Sequence, residues 1–308
     1  MKFELTILGS GSSIPTSNRN SAAQVLHVLG RYFLIDCAEA TQHQLRRFHV
    51  PYNKINHIFI SHLHGDHFFG LIGFLSTLSL QGRRGEMHIY AEPRLQELIG
   101  CQMKILHSRF TFPLFFHALS RREEVIYEDK VVTVTAFPLK HHYDTPVSGF
   151  LFREKERERT ILKDRTAAWN VPIAYLKRGE DFITPEGEIV ANELLTVAPP
   201  PARSFAYMTD TLFRERFADY VRGVDLLYHE ATYMNADAVL AKESYHSTTG
   251  QAARIAELAG VGKLLLGHFS ARYTECSELL AEAREVFPNT FLCSDGDLFE
   301  VPAVKRRS

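Results

Sequence analysis

The sequence predicts an α/β protein in which two β-sheets lie between helices. Short apolar or β-branched segments typical of strands alternate with longer helical segments in both halves of the chain. Polar residues cluster where the predicted strands end. With 308 residues, of which 45% are hydrophobic and 23% charged, the chain could form one large domain or two small ones with a substantial core.

The individual elements follow from hydrophobic periodicity and from turn residues. Strands are predicted at residues 3–8, 23–29, 31–36, 56–60, 87–91, 131–137, 204–208, 224–228 and 263–266. Helices are predicted at residues 41–49, 92–107, 247–259 and 275–287, with another after His67. A loop of small residues, 9–15, joins the first two strands, and Ser247 and Thr248 provide an N-cap for the helix at 247–259.

One segment departs from this alternation. Residues 153–166 are almost wholly charged, and residues 167–195 lack a clear core pattern. A solvated helix-and-hairpin connection would have this composition, and so would an arm that protrudes and touches a large substrate. Composition alone does not choose between the two.

Charge and cysteine content exclude several classes of protein. The formal net charge is −1, so no global basic field indicates a nucleic-acid partner, and a site for a polyanion must come from local patches or bound metal. The four cysteines are scattered without a C-x-x-C pair, which favours reduced thiols in a cytoplasmic enzyme. The first residues read as a strand and not as a signal peptide, and no apolar run approaches membrane-spanning length.

The segment from Ser61 to His67 is the most informative part of the chain. It places four potential metal ligands within six residues, directly after a predicted buried strand: His62, His64, Asp66 and His67. Imidazoles and carboxylates are ligands that zinc and similar metals prefer. Because His62 and His64 can face one ion while Asp66 and His67 turn to another, this cluster predicts two metals.

Three later residues can complete such a site, since each ends or follows a predicted strand: His141, Asp210 and His268. Each alone is more often a turn or capping residue. Together with the first cluster they give the order H-x-H-x-D-H, then H, then D, then H. Two cations about 3.5–4 Å apart can activate water and hold phosphate oxygens during in-line attack.

This order of ligands resembles the metallo-β-lactamase superfamily and, within it, the ribonuclease Z family of short-form tRNA 3′-processing endoribonucleases. Residues 61–71 (Ser-His-Leu-His-Gly-Asp-His-Phe-Phe-Gly-Leu) match that family's extended motif, and residues 36–42 are similar to its Asp-Cys-Gly-Glu-Gly-Thr-Gln segment. His229-Glu230-Ala231-Thr232 and His246-Ser247-Thr248 match two further motifs. Only 58 positions separate Asp210 from His268, which leaves no room for the large inserted domain of related mRNA-cleaving and DNA-repair nucleases.

The resemblance implies a single domain, residues 1–308, with an αββα four-layer sandwich and an inserted substrate-binding arm at 153–195. It also implies a cytoplasmic, homodimeric enzyme that binds two Zn²⁺ per subunit, with Mn²⁺ also suited to the ligands, and that acts on precursor tRNA, with no DNA or membrane partner. A dinuclear phosphodiesterase or arylsulfatase-like hydrolase of small esters is the alternative. A protein that holds RNA with structural metals is a third interpretation, which a full ligand set with an added acid disfavours.

The resemblance also implies roles for individual residues. His62, His64 and His141 would hold one zinc, Asp66, His67 and His268 the other, and Asp210 would bridge them. His142 is the alternative to His141 as a ligand, and the Pro-Leu-Lys-His register favours His141. Asp66 would orient the nucleophile or accept its proton, and His246, supported by Glu230, would act as general acid. His229 and Thr232 receive no assigned chemistry.

The chain departs from the family pattern at three places. Ser17 replaces the lysine of a Pro-x-Lys-x-Arg-Asn motif, Ala38 and Ala40 replace two glycines, and residues 169–179 lack the Gly-Pro pair usual in the arm. None of these departures is at a candidate metal ligand, so they bear on substrate docking and not on the chemistry. The residues expected to contact substrate are Arg19, Lys177, Arg178 and Thr248. Secondary basic candidates are Arg46-Arg47, Arg83-Arg84, Arg121-Arg122 and Lys305-Arg306-Arg307.

Overall fold

The computed structural model describes residues 2–142, 144–167 and 171–301. Two seven-stranded sheets pack face to face, and helices cover their outer faces. The predicted four-layer arrangement of helices and two sheets is confirmed. Trp169 and Asn170 of the predicted arm, and the basic residues Lys305, Arg306 and Arg307, lie outside the described residues.

The bounds of the elements agree with the sequence prediction to within a few residues wherever a strand or helix was predicted. The strands are β1 (Phe3–Gly9), β2 (Ala23–Val28), β3 (Arg31–Ile35), β4 (Ile55–Phe59), β5 (Met87–Ala91), β6 (Leu114–Ala118), β7 (Glu124–Glu128), β8 (Val132–Pro138), β9 (Ser148–Glu154), β10 (Thr160–Ile161), β11 (Phe182–Ile183), β12 (Ile189–Val190), β13 (Thr196–Val197), β14 (Ser204–Met208), β15 (Leu226–Glu230), β16 (Leu264–Gly267), β17 (Thr290–Leu292) and β18 (Leu298–Glu300). The helices are α1 (Thr41–Arg47), α2 (Gly65–Phe68), α3 (Leu71–Leu80), α4 (Arg94–Ile105), α5 (Lys163–Thr166), α6 (Ile173–Arg178), α7 (Asn192–Leu195), α8 (Ala238–Glu243), α9 (Thr249–Ala259) and α10 (Ser277–Val286). Short 3₁₀ turns cover Tyr52–Lys54, Glu215–Val221 and Asn235–Asp237.

Both sheets combine an antiparallel part with a parallel part. The first has the order β18-β1-β2-β3-β4-β5-β6 and is parallel from β3 to β6. The second has the order β17-β16-β15-β14-β9-β8-β7 and is parallel from β14 to β17. Because the carboxyl ends of parallel strands meet at one edge, loops after β14, β15 and β16 lie side by side, and the loop after β4 lies at the corresponding edge of the first sheet.

Aromatic side chains fill the space between the two sheets. Phe33 and Phe59 of the first sheet meet Phe152 and Phe150 of the second with ring centroids 5.4–5.5 Å apart, a spacing at which tilted and edge-on rings attract. A second cluster lies between the first sheet and α3, and a third between the second sheet and α9. In α9 the buried alanines let the helix approach the sheet closely.

Helix α9 begins at the predicted cap. Thr248 is the N-cap: its side chain accepts from the backbone N–H of Gln251, and the Gln251 side chain accepts from the backbone N–H of Thr248. This reciprocal pair satisfies two N–H groups that the helix cannot satisfy itself. The cap fixes the preceding residues, 246 and 247, against the end of β15.

Residues 155–203 form a segment inserted between β9 and β14, which are neighbours in the second sheet. The described part of this segment has a small core of its own, made by Leu176, Phe182 and Leu195 with Val171 and Val190 around them. It also contains two small sheets, β10 with β13 and β11 with β12. Arg153 and Glu154, which the sequence placed at the start of the arm, belong to β9. Among the described residues, no helix has the length and apolar character needed to cross a membrane.

Candidate metal centre

Loops from both sheets carry the seven predicted ligands to one place. His62 and His64 follow β4, Asp66 and His67 lie in α2, and His141 follows β8. Asp210 and His268 follow β14 and β16, and both have left-handed backbone conformations, with φ of 42° and 59°. Such conformations cost a non-glycine residue roughly 1–3 kcal/mol and cluster at functional sites.

Asp210 lies between two groups of histidines and turns one carboxylate oxygen to each. Its Oδ2 atom lies 3.6 Å from Nε2 of His62 and 3.9 Å from Nε2 of His141. Its Oδ1 atom lies 3.2 Å from Nε2 of both His67 and His268. This is the arrangement of a carboxylate that can bridge two ions.

The donor atoms form two groups that match the predicted division. His62, His64, His141 and Asp210 have donor atoms within 4.8 Å of one another, and so do Asp66, His67 and His268. Among the described residues, the first group contains His141 and not its rival His142, which is exposed. His246 also lies within 4.8 Å of Asp210 and His268.

The second nitrogen of most of these histidines is held by a neighbour. Nδ1 of His67 donates to Oδ2 of Asp36 at 2.7 Å, Nδ1 of His141 donates to the carbonyl oxygen of Tyr245 at 3.0 Å, and Nδ1 of His268 lies 3.0 Å from Oγ1 of Thr232. Each bond fixes a tautomer whose Nε2 lone pair faces the cluster.

These residues fit divalent metal ions. The Nε2 atom of His62 is buried and has no hydrogen-bond partner among the described residues, which is costly unless another group occupies the space in front of it. Imidazole and carboxylate donors with hydrogen-bonded outer nitrogens are the set that zinc-type ions prefer.

Burial and mutual charge shift the pKa values of the cluster. Burial and the neighbouring His67 hold the pKa of His62 well below its usual value, which keeps its nitrogen free to bind a cation. Burial raises the pKa of Asp210, but His268, His67 and His62 outweigh it and the pKa lies well below its usual value. The carboxylate of Asp210 is therefore ionised and available as a ligand.

Asp36 holds the His67 ligand in place and connects it to both sheets. It receives the backbone N–H of Ser61 at 2.7 Å on Oδ1, and the hydroxyl groups of Ser61 and Tyr207 at 2.9 Å and 2.8 Å on Oδ2, in addition to His67. Tyr207 lies in the second sheet, so this one carboxylate ties both sheets to the His67 ligand. The sequence contained Asp36 within a family-like motif, but its role was not predicted.

Asp66 is held by the loop of small residues between β1 and β2. The backbone N–H of Ser13, a residue with φ of 59°, donates to Oδ2 of Asp66 at 2.8 Å. Asp295 fixes this loop through Ser10, at 3.0 Å to its backbone N–H, and through Asn20, at 2.8 Å. The contact from Ser13 was not predicted, because a backbone donor leaves no signal in residue type.

Glu230 and His246 form a buried pair beside the ligands. Nδ1 of His246 donates to Oε1 of Glu230 at 3.1 Å, and the same oxygen accepts the backbone N–H groups of Thr211 and Ser247 at 3.0 and 2.9 Å. Burial lowers the pKa of His246, but the charge and hydrogen bond of Glu230 outweigh it and raise the pKa to about 9. The imidazole is thus held in its charged form, with Nε2 as the free donor.

Thr232 links this pair to the ligands, although the sequence assigned it no chemistry. Its hydroxyl donates to Oε2 of Glu230 at 2.7 Å and lies 3.0 Å from Nδ1 of His268 and 3.3 Å from Nδ1 of His246. Since the hydroxyl hydrogen goes to the carboxylate, the oxygen accepts from His268.

The residues expected to contact substrate lie in different settings. Arg19 donates to the carbonyl oxygen of Tyr273 at 2.9 Å and to Sγ of Cys276 at 2.9 Å, so its guanidinium group holds a neighbouring loop. Thr248 is buried, and its hydroxyl serves the cap and donates to Oδ1 of Asn235 at 2.7 Å. Lys177 and Arg178 lie on α6 of the inserted segment, away from the metal ligands in the chain, and α6 packs through Leu176 on that segment's own core.

A cleft of ≈ 410 Å³ opens over the cluster. Its lining residues include Ser13, His64, Asp66, His142 and His246, together with His141, Asp210 and Ser244. Four candidate ligands and His246 therefore share one solvent-accessible space, in which a phosphodiester can meet both.

Known proteins with similar sequences cover almost the whole chain. Ribonuclease Z from Bacteroides fragilis strain YCH46 is 46% identical over 298 residues, which are 96% of this chain and 97% of that protein. Ribonuclease Z from Porphyromonas gingivalis strain W83 is 40% identical over 297 residues, 95% of this chain and 97% of that protein. The chain belongs to the ribonuclease Z family. The predicted resemblance is thereby confirmed.

One solved structure is a tRNase Z, and a second solved structure supports the fold. The crystal structure of human tRNase Z, short form (ELAC1), is 27% identical with a TM-score of 0.70 and covers 97% of this chain and 99% of its own. The metallo-β-lactamase fold protein YhfI from Bacillus subtilis, 19% identical with a TM-score of 0.68 over 97% and 98% of the two chains, shares the fold. The family model described as "Anti-Pycsar protein Apyc1" matches residues 3–171, so this part of the chain also belongs to that domain family. The expected metallo-β-lactamase fold is confirmed.

Proposed function

We propose that this member of the ribonuclease Z family is a metal-dependent endoribonuclease that removes the 3′ trailer of precursor tRNA. The observation that carries the proposal is the position of the Glu230/His246 pair beside the ligand cluster: Nδ1 of His246 is 3.1 Å from Glu230, and His246 lies within 4.8 Å of Asp210 and His268. A purely structural metal site needs no such acid.

Two divalent ions, Zn²⁺ in our proposal with Mn²⁺ as a possible substitute, would be held by His62, His64 and His141 on one side and by Asp66, His67 and His268 on the other, with Asp210 shared. When bound, such ions lower the pKa of water and stabilise negative charge on phosphate oxygens. The division of the Asp210 oxygens between the two histidine groups supports two ions per subunit.

The side chains supply the proton transfers. Asp66, fixed by the N–H of Ser13, accepts a proton from the water that attacks phosphorus. As the bond from phosphorus to the 3′ oxygen breaks, Nε2 of His246 donates a proton to that oxygen, and Glu230 stabilises the imidazolium form beforehand. The products are a 3′-hydroxyl on the tRNA and a 5′-phosphate on the trailer.

Two substrates test the proposal against its alternative, a hydrolase of small esters. Purified protein loaded with zinc is incubated with a precursor tRNA and separately with bis-p-nitrophenyl phosphate, and the RNA ends are mapped. We expect cleavage at a single position next to the discriminator nucleotide. Hydrolysis of the small ester alone would refute the tRNA assignment, and activity on neither would favour a binding module.

The remaining expectations rest on the family resemblance. We propose that the protein is a cytoplasmic homodimer and that neither DNA nor a membrane is a partner. Sedimentation equilibrium tests the dimer directly: a single species with the 35.1 kDa mass of one chain across micromolar concentrations would contradict it. The substrate contacts of Lys177 and Arg178 are proposed as phosphate contacts, whose removal reduces the salt dependence of binding.

A further inference from the structure

The inserted segment 155–203 begins and ends at adjacent positions of the two-sheet part of the protein, which we call the body. Glu154 ends β9, and Arg203 comes directly before β14. The two strands pair antiparallel, and the backbone N–H of Glu154 donates to the carbonyl oxygen of Arg203 at 2.8 Å. Because the segment has its own core, its direction relative to the metal ligands depends on this root.

A buried ion pair joins the two residues at the root. Nε and Nη2 of Arg203 donate to Oε2 and Oε1 of Glu154 at 3.0 and 2.7 Å, and the backbone N–H of Arg203 adds a third bond to Oε2 at 3.0 Å. Glu154 is only 3% exposed. A bidentate guanidinium–carboxylate pair has a fixed plane, so it restricts rotation where a single hydrogen bond would not.

The pair is attached to the body on one side and to the inserted segment on the other. The guanidinium carbon of Arg203 lies 5.2 Å from the ring centroid of Phe3, a buried residue of the core between the sheets. Nη2 of Arg157, inside the segment, donates to Oε1 of Glu154 at 3.3 Å. Glu154 also pairs with Val132 of β8. The pair thus has contacts to the two sheets, through Phe3 and Val132, and to the inserted segment, through Arg157.

Hydrogen bonds within the inserted segment connect its parts, so that the orientation of its root determines the orientation of the rest. Buried Asn192 donates through Nδ2 to the carbonyl oxygens of Leu176 and Glu180 at 2.9 and 2.7 Å and accepts on Oδ1 from the hydroxyl of Thr196 at 2.6 Å. Nε of Arg159, close to the root, donates to Oγ1 of Thr196 at 2.7 Å. These hydrogen bonds oppose movement within the described part of the segment.

We propose that Glu154 and Arg203 are positioning residues that clamp the root of the inserted segment and so set where a substrate held by the segment meets the metal centre. The functional part of this inference rests on the proposed function. The clamp acts on substrates long enough to contact both the segment and the cleft, and leaves a small ester unaffected. It determines specificity for large substrates without touching the reacting atoms.

Glu154→Gln tests the clamp, because it keeps the shape of the side chain and removes the charge that orients Arg203. We expect the KM for precursor tRNA to rise about 10-fold, since a small misplacement of bound groups is costly, while kcat/KM for bis-p-nitrophenyl phosphate stays within two-fold. Arg203→Lys keeps the charge but loses the bidentate guanidinium group, so it should raise the KM for precursor tRNA by a similar factor. The double variant should raise this KM little further. Glu156→Gln is the matched control: it makes the same charge change on an exposed residue two positions away.

Hydrogen exchange of the free protein separates the clamp from the proposed function. In Glu154→Gln, faster exchange is expected at residues 155–159 and at the amides of Ala198, Ala202 and Arg203, with unchanged exchange in β4, β15 and α9. Unchanged exchange and an unchanged KM would overturn the clamp, and so would equal losses with both substrates, which indicate general destabilisation. If the wild-type protein fails to cut precursor tRNA while the exchange result holds, only the proposed function fails.

Discussion

The hydroxyl of Thr232 should control the affinity of one metal site more than the other. In Thr232→Val the side chain keeps its shape, which matters because the residue is 2% exposed, but loses the oxygen that accepts from Nδ1 of His268. His268 is itself 1% exposed, so its N–H would have no solvent replacement. Glu230 loses the hydroxyl donor of Thr232 at 2.7 Å but keeps the backbone N–H of Thr232 at 3.0 Å on the same oxygen, and its other donors on Oε1. The damage should therefore fall on His268.

The size of the effect follows from the loss of one buried hydrogen bond. Leaving a buried donor without a partner costs about 1–3 kcal/mol, and removing the outer partner of a metal-binding histidine typically weakens metal binding by about 10–100-fold. These ranges agree, since about 1.4 kcal/mol corresponds to ten-fold. The site of Asp66, His67 and His268 should weaken by this factor, and the site of His62, His64 and His141 should not.

Competition with a chromophoric chelator measures the two zinc dissociation constants of the metal-free protein. Thr232→Ser, which restores the hydroxyl, should bind zinc within about three-fold of the wild type, a difference of about 0.7 kcal/mol. Thr196→Val is the matched control, because it removes another buried hydroxyl, in the inserted segment. Equal weakening of both zinc sites, or failure of serine to restore binding, would refute the link through Thr232.

Three further outcomes are expected. His246→Asn should slow precursor cleavage by about 10²–10⁴-fold with two zinc ions still bound by elemental analysis; loss of zinc would contradict its role as acid. Chelation should lower the melting temperature, since two sites each at 100 times Kd contribute about 2.7 kcal/mol apiece; an unchanged melting curve would argue against both ions. Burial and the neighbouring His88 and His117 lower the pKa of His57 from 6.5 to about 4, so the unfolded chain binds the extra proton. Stability is then complete above pH 6.5 and falls as the pH drops towards 4, by at most about 3 kcal/mol, and urea unfolding of metal-free His57→Phe should show a flatter pH dependence than the wild type.

The sequence predicted the layers and the ligand order because both depend on local patterns. Strand and helix periodicity is visible within a few residues, and each ligand follows a strand that the pattern predicts. The strands β6, β7, β9 to β13, β17 and β18 were not predicted. The last four residues of β9, from Leu151 to Glu154, carry a polar end that blends into the charged run after it, although Glu154 is buried through its pair with Arg203. Because Arg203 lies 49 residues from Glu154 in the chain, the burial of Glu154 cannot be predicted from its neighbours in the sequence.

Contacts around the ligands were harder to predict than the ligands. Asp36 and Tyr207 lie 171 positions apart yet share a 2.8 Å hydrogen bond, and Ser13 acts through its backbone, so neither contact leaves a spacing pattern. Thr248 shows the opposite difficulty. Its place in a family-like motif suggested substrate contact, whereas its hydroxyl serves the start of α9 and thereby fixes the position of His246 two residues earlier.

The metal centre lies where the two sheets meet. The residues for its chemistry therefore occupy different parts of the sequence from the residues that we propose select the substrate. The first sheet is followed by His62, His64, Asp66 and His67 in the loop and short helix after β4, while the second supplies the remaining ligands and Glu230 from strand ends, and His246 comes from the loop before α9. Each of these positions is fixed by the core of a sheet. The described part of the inserted segment has its own core and joins the sheets at its root, so its surface can vary more freely than the ligands. We therefore expect departures from the family pattern at 169–179 to affect which RNA is presented and to leave the cleavage step intact.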